Sequence, residues 1–148
     1  MSPTLLQKAT PVLIVERIEP IIPFWEKLGA TVTVQVPDGT AADGRLAFII
    51  LRHGPIELMY QTLASLREDL VRASTAKEAF RAEWQQSYLY LEVASLADVE
   101  RALAHERLIM PRRTTFYGST ELGYADPAGN VIVFAEPAAV PDTPATPE

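Results

Sequence analysis

The chain has 148 residues, nearly half of them apolar, a net charge of −6 and no cysteine. That length and composition fit one globular domain with a real core, and the missing cysteines exclude disulfides, thiolate metal sites and a cysteine nucleophile. The acidic balance argues against a nucleic-acid surface and mildly favours a neutral or cationic small ligand.

The segment Met1 to Thr10 lacks the apolar stretch of a signal peptide, and no apolar run is long enough to span a membrane, so the cytosol is the expected location. A first strand is predicted over Thr10 to Val15. Pro20 suits the first turn of a helix whose apolar stripe is Ile21, Phe24, Trp25 and Leu28, and Gly29 ends it. Three strands follow, Thr31 to Val36, Arg45 to Leu51 and Ile56 to Gln61, separated by the breaks Pro37-Asp38-Gly39 and His53-Gly54-Pro55. Residues 63–85 carry helical periodicity and read as a linker.

A second unit opens with the strand Tyr88 to Val93. Ser95 is a good N-cap with Asp98 three residues on, and Val99, Ala102 and Leu103 form the stripe of the next helix. Strands are then expected near Leu108 to Met110, Arg113 to Phe116, Thr120 to Ala125 and Val131 to Ala135. The last two are joined by a turn in which Gly129 and Asn130 tolerate left-handed backbone. Pro137 to Glu148 holds four prolines and reads as a disordered tail. The order strand, helix, strands thus occurs twice. The expected architecture is α+β, with two βαβββ modules (about 8–62 and 86–136) in one domain spanning 1–136.

Three pieces in order carry a likeness: Pro11-Val12-Leu13 leading to Phe24-Trp25-Glu26-Lys27-Leu28-Gly29, the strand Leu89-Tyr90-Leu91-Glu92-Val93, and Asp126-Pro127-Ala128-Gly129-Asn130 before Phe134-Ala135-Glu136. With them the chain resembles the vicinal oxygen chelate superfamily, and within it the bleomycin-resistance proteins. The resemblance implies curved mixed sheets around a concave cavity, commonly in a homodimer. Strand alternation laid over that picture puts Glu57, Met59 and Gln61 on the cavity side of one strand and Tyr88, Tyr90 and Glu92 on that of another. Tyr117 falls at the rim and Trp84 at the pocket edge or in plain packing.

Enzymes of the superfamily hold a divalent metal with four side chains, and the matching positions here are Thr10, Glu57, Tyr88 and Val133. Glu57 fits; valine offers no lone pair, threonine is a poor ligand, and tyrosine would have to ionise. One carboxylate does not make a site. No metal, cofactor or catalytic residue is therefore expected. The two histidines, His53 and His105, lie at a predicted turn and a predicted helix end and suggest surface residues.

Three readings follow. The first is a metal-free protein that sequesters a small molecule, aromatic or cationic, an antibiotic being one candidate. The second is a metal-dependent glyoxalase- or dioxygenase-type lyase or isomerase built on Glu57, with Glu92, Glu121, Gln61 or a histidine completing the set. The third is a structural partner whose cavity is plugged by Val12, Ile14, Val131 and Val133. Without metal, Glu57 would either anchor a ligand or hydrogen-bond a neighbour such as Tyr88 or Tyr90.

Overall fold

A computed structural model describes residues 5, 7–73 and 87–138, with side chains for all of these except 69–73. The elements run β1 (Val12–Val15), α1 (Ile21–Glu26), β2 (Thr31–Pro37), β3 (Leu46–His53), β4 (Ile56–Thr62), α2 (Leu63–Ala73), β5 (Tyr88–Glu92), α3 (Leu96–Ala102), β6 (Leu108–Thr114), β7 (Thr120–Ala125) and β8 (Val131–Glu136). The chain divides into two compact units, Met1–Ser87 and Tyr88–Glu148. Each holds one four-stranded sheet, ordered β1-β4-β3-β2 in the first and β5-β8-β7-β6 in the second. In each, the first and last strands pair in parallel and the other ladders are antiparallel. The doubled βαβββ plan and the mixed sheets are as the sequence predicts. Of the linker expected over 63–85, the first half is α2; the remainder, and the tail from residue 139, lie outside the described residues.

In the first unit strict alternation separates two faces. Leu13, Val15, Ala47, Ile49, Leu51, Leu58 and Tyr60 are buried, and Ile21, Phe24 and Trp25 of α1 are buried with them. Trp25 Nε1 donates to the Tyr60 hydroxyl at 3.0 Å, so the two polar atoms in this core satisfy each other. Gly29 ends the helix with φ +90°, a conformation that glycine adopts without a Cβ penalty. In the second unit Leu96, Val99 and Leu103 bury together with Leu122, Tyr124, Ile132 and Phe134, the last two aromatics meeting edge to face. Ser95 caps α3 by accepting the Asp98 N–H at 3.2 Å.

Two expectations change. Separate strands are expected near Leu108 to Met110 and Arg113 to Phe116, yet Leu108–Thr114 is one strand that contains Pro111. It lies at the sheet edge with register shifts on either side of Met110, where a missing N–H is tolerated. In the β7–β8 turn Gly129 has φ +89°, but Asn130 does not enter the left-handed region. Its contribution is its side chain. Asp126 Oδ1 accepts N–H groups from Ala128 and Asn130 at 3.0 and 2.8 Å, and Oδ2 accepts the Asn130 amide at 3.1 Å.

Candidate functional site

Register places Glu57, Met59 and Gln61 of β4 on the face opposite α1, all half-buried. Met59 stands beside Val12 and Ile50, Gln61 beside Ile14 and Phe48, and Glu57 beside Arg52. Val34 and Val36 of β2 extend this apolar floor, opposite Ile50 and Phe48. Gln61 is tied down, its amide donating to Ser65 at 3.2 Å.

Glu57 is the charged end of that face. Lys8 Nζ lies 2.7 Å from its Oε1, Arg52 Nε and Nη2 lie 2.8 and 2.7 Å from its Oε2, and the Thr10 hydroxyl donates to Oε1 at 3.4 Å. The hydrogen bond from Lys8, then that from Arg52, holds the carboxyl below the usual carboxylate range. Its partners within the first unit are therefore Lys8, Arg52 and Thr10.

In the second unit Tyr88, Tyr90 and Glu92 project from β5 on the face opposite α3 and are exposed. The β8 positions sharing that face behave differently: Val131 is half-buried, while Val133 and Ala135 are fully buried. On β7 the same face carries Glu121 and Gly123, paired with Ala135 and Val133. Gly123 lets the neighbouring strand approach, since a Cβ there would sit 2.9 Å from that of Met110.

Glu121 is the centre of this unit's polar chemistry. It is 1% exposed, with Arg113 Nε and Nη2 3.2 and 3.1 Å from Oε1 and the Tyr117 hydroxyl donating to Oε2 at 2.9 Å. Burial pushes its pKa up, but hydrogen bonds from Tyr117, Tyr90 and Arg113 outweigh burial and hold it below the usual range. Tyr90 in turn is pushed up to about 12 by its hydrogen bond to Tyr117, by burial and by Glu121, against an opposing contribution from Ser119. Tyr117 precedes Gly118 (φ +85°) in a turn closed by Thr115 and Ser119, and its ring meets Phe116 edge to face at 4.9 Å.

The expected site residues thus assemble within their own units: Glu57, Met59 and Gln61 in the first, Tyr88, Tyr90, Glu92 and Tyr117 in the second. Trp84 lies outside the described residues. Glu121 enters the sequence reading only as a substitute metal ligand; here it is a buried anion saturated by an arginine and two tyrosines. Lys8, Arg52 and Arg113 carry no motif. The one available signal was a charged residue at an inward position of the strand Thr120–Ala125.

The four positions implied for a metal do not fit one. Glu57 already has two side-chain cations on its two oxygens, and Val133 has no donor atom and packs beside Tyr90 rather than Tyr88. Among the described residues no group of three or more His, Asp or Glu is placed to hold a metal. No helix among them is long and apolar enough to cross a membrane.

No family model matches the sequence, and no curated protein matches it. Solved structures do match the fold. TioX from Micromonospora sp. ML1 superposes with a TM-score of 0.62 at 12% identity, over 88% of this chain and 98% of that one. A glyoxalase-related enzyme from Fulvimarina pelagi gives 0.64 at 21% identity, over 89% and 88%. A bleomycin-binding protein complexed with bleomycin gives 0.57 at 17% identity, over 88% and 98%. The fold is that of the glyoxalase and bleomycin-resistance type, as the three sequence pieces imply.

Proposed function

We propose that this chain is a small-molecule-binding protein that sequesters an aromatic ligand without a metal, as a cytosolic homodimer. The observation that carries the reading is the second unit's tyrosine group. Tyr88, Tyr90 and Tyr117 are 64%, 42% and 57% exposed, and the Tyr117 hydroxyl is fixed by a buried carboxylate. Amphipathic rings held this way offer flat contact area whose ordering cost is already met. Likeness to a bleomycin-binding protein supports a small ligand, and an antibiotic is one candidate. The occupied oxygens of Glu57 support a metal-free mode. Glu92 extends the tyrosine face at the strand end of the second unit, and in the first unit Met59 and Gln61 offer a contact face of their own.

Calorimetric titration with glycopeptides, planar aromatics and aromatic amines tests this. Saturable binding that weakens in Tyr88→Ala and Tyr90→Ala is expected; no interaction with any class would sink it. A metal-dependent lyase or isomerase is the second reading, favoured by Glu57 itself and by likeness to a glyoxalase-related enzyme. It predicts about one tightly bound ion per chain, lost in Glu57→Ala, in metal analysis of protein purified without chelator.

A further inference from the structure

Glu57 stands at the strand position where the resemblance implies a metal cation, and the chain supplies cations of its own there. One carboxylate faces one ammonium and one guanidinium, so the cluster carries an excess of one positive charge in a protein of net charge −6. The charges are also sorted by depth. The Glu57 side chain is 12% exposed, whereas those of Lys8 and Arg52 are 52% and 53% exposed. A molecule approaching this end of the sheet meets donors, with the acceptor behind them.

Among the described residues the donors are not used up. Arg52 spends Nε and Nη2 on Oε2 and Lys8 one ammonium proton on Oε1, which leaves Nη1 and two further ammonium protons to point elsewhere. One cation compensates a half-buried carboxylate, and a second, exposed one adds little to stability. Beside the cluster, the floor of Val12, Ile14, Phe48, Ile50 and Met59 is apolar and no more than half-buried.

We infer that Lys8, Arg52 and Glu57 form an anion-accepting site that takes the carboxylate of a small apolar acid, with the body of that acid on the adjoining floor. A single negative charge matches the excess. A phosphate monoester carries about −1.5 to −2 and would set surplus charge against Glu57. The chain's overall negative charge does not oppose this at contact, because screening acts beyond about 8 Å in physiological salt. The site reverses the cationic preference that Glu57 suggests when read without its partners. The inference rests on the small-molecule reading and makes its ligand class specific.

The test is calorimetric titration of the full chain with naphthoate, naphthamide, naphthylmethylamine and naphthyl phosphate. Naphthoate is expected to bind, with the amide and the amine weaker by about tenfold or more, the value of one charge-assisted contact. Arg52→Gln and Lys8→Gln should each weaken naphthoate several-fold, Arg52→Lys should restore part of the loss, and Glu57→Gln should tighten binding. Melting curves of each variant separate lost folding from lost binding. Preference for the amine or amide overturns the inference and leaves the small-molecule reading standing, as does naphthoate binding unchanged in the Lys8→Gln/Arg52→Gln double variant. Tighter binding of the phosphate overturns the carboxylate assignment. No binding by any of the four, or by the aromatic panel, overturns both.

Discussion

The two units set a carboxylate on the helix-distal face of the same kind of sheet and solve its burial in opposite ways. Glu57 keeps contact with solvent and is held by two exposed cations. Glu121 is buried to 1% and is held by one arginine and two tyrosine hydroxyls. The difference lies in what surrounds them. Glu57 is near the end of β4, where long flexible side chains reach it from outside. Glu121 lies beside the fully buried Ala135 and is reached by the Arg113 guanidinium and the Tyr117 hydroxyl. An exposed cluster with spare donors suits an exchangeable partner; a buried, saturated one suits rigidity. Desolvation decides which role a given carboxylate can take.

Arg113→Met should break the second arrangement most severely, because it strands a buried anion. Loss of one partner from a fully buried pair costs roughly 3–5 kcal/mol, and water reaching the half-exposed Arg113 position reduces that to about 2–3 kcal/mol in denaturant unfolding. Gly123→Ala should cost about 1–3 kcal/mol in the same assay, since the new methyl presses on Met110 and shifts β6, which carries Arg113. Tyr117→Phe removes one donor from Glu121 and should cost about 1 kcal/mol. It should also bring Tyr90 down from about 12 toward its ordinary 10.0, visible as earlier phenolate absorbance in an alkaline titration. In the parent protein the stability tied to Tyr90 is whole below pH 10.0 and is lost as pH rises toward about 12.

Acid sharpens the comparison from the other side. Both carboxyls are held below 4.5 in the fold, so their contribution is whole above pH 4.5 and disappears as pH falls through their folded values. Melting temperature followed downward through that window should fall less steeply in Glu121→Gln than in the parent. A parent profile that stays flat below pH 4.5 would contradict the assignment. Glu57→Gln should have the smallest effect of all on melting temperature at neutral pH, because exposed ion pairs contribute little.

The sequence made the frame legible because the frame depends on local periodicity. Alternation along Ile56 to Gln61, the Ser95–Asp98 cap and the Asp126–Asn130 turn each sit within a few residues of chain, and each is realised. The candidate sites were legible only in part. Glu57 could be read from its strand, but its partner Lys8 is 49 residues away in a segment without periodicity, and Arg52 lies across a hairpin. The sign of the charge at this end of the sheet is therefore not readable from Glu57 alone, because two exposed cations stand around it. Glu121 escaped for the same reason, since nothing near it announces that Arg113 and Tyr90 converge there. Asn130 was assigned for its backbone tolerance, and its amide turned out to matter instead.

The strand orders β1-β4-β3-β2 and β5-β8-β7-β6 bear on how the protein is made. Every ladder closes within its own unit, and the first unit's final ladder closes with Thr62. During synthesis from the N-terminus, all four strands of that sheet emerge before β5 to β8 do. The parallel pairing of β1 with β4 joins the most distant strands of that sheet and so carries its largest loop-closure cost. The first sheet can then be complete before its repeat offers competing edges, which protects a doubled architecture from pairing strands across its two copies.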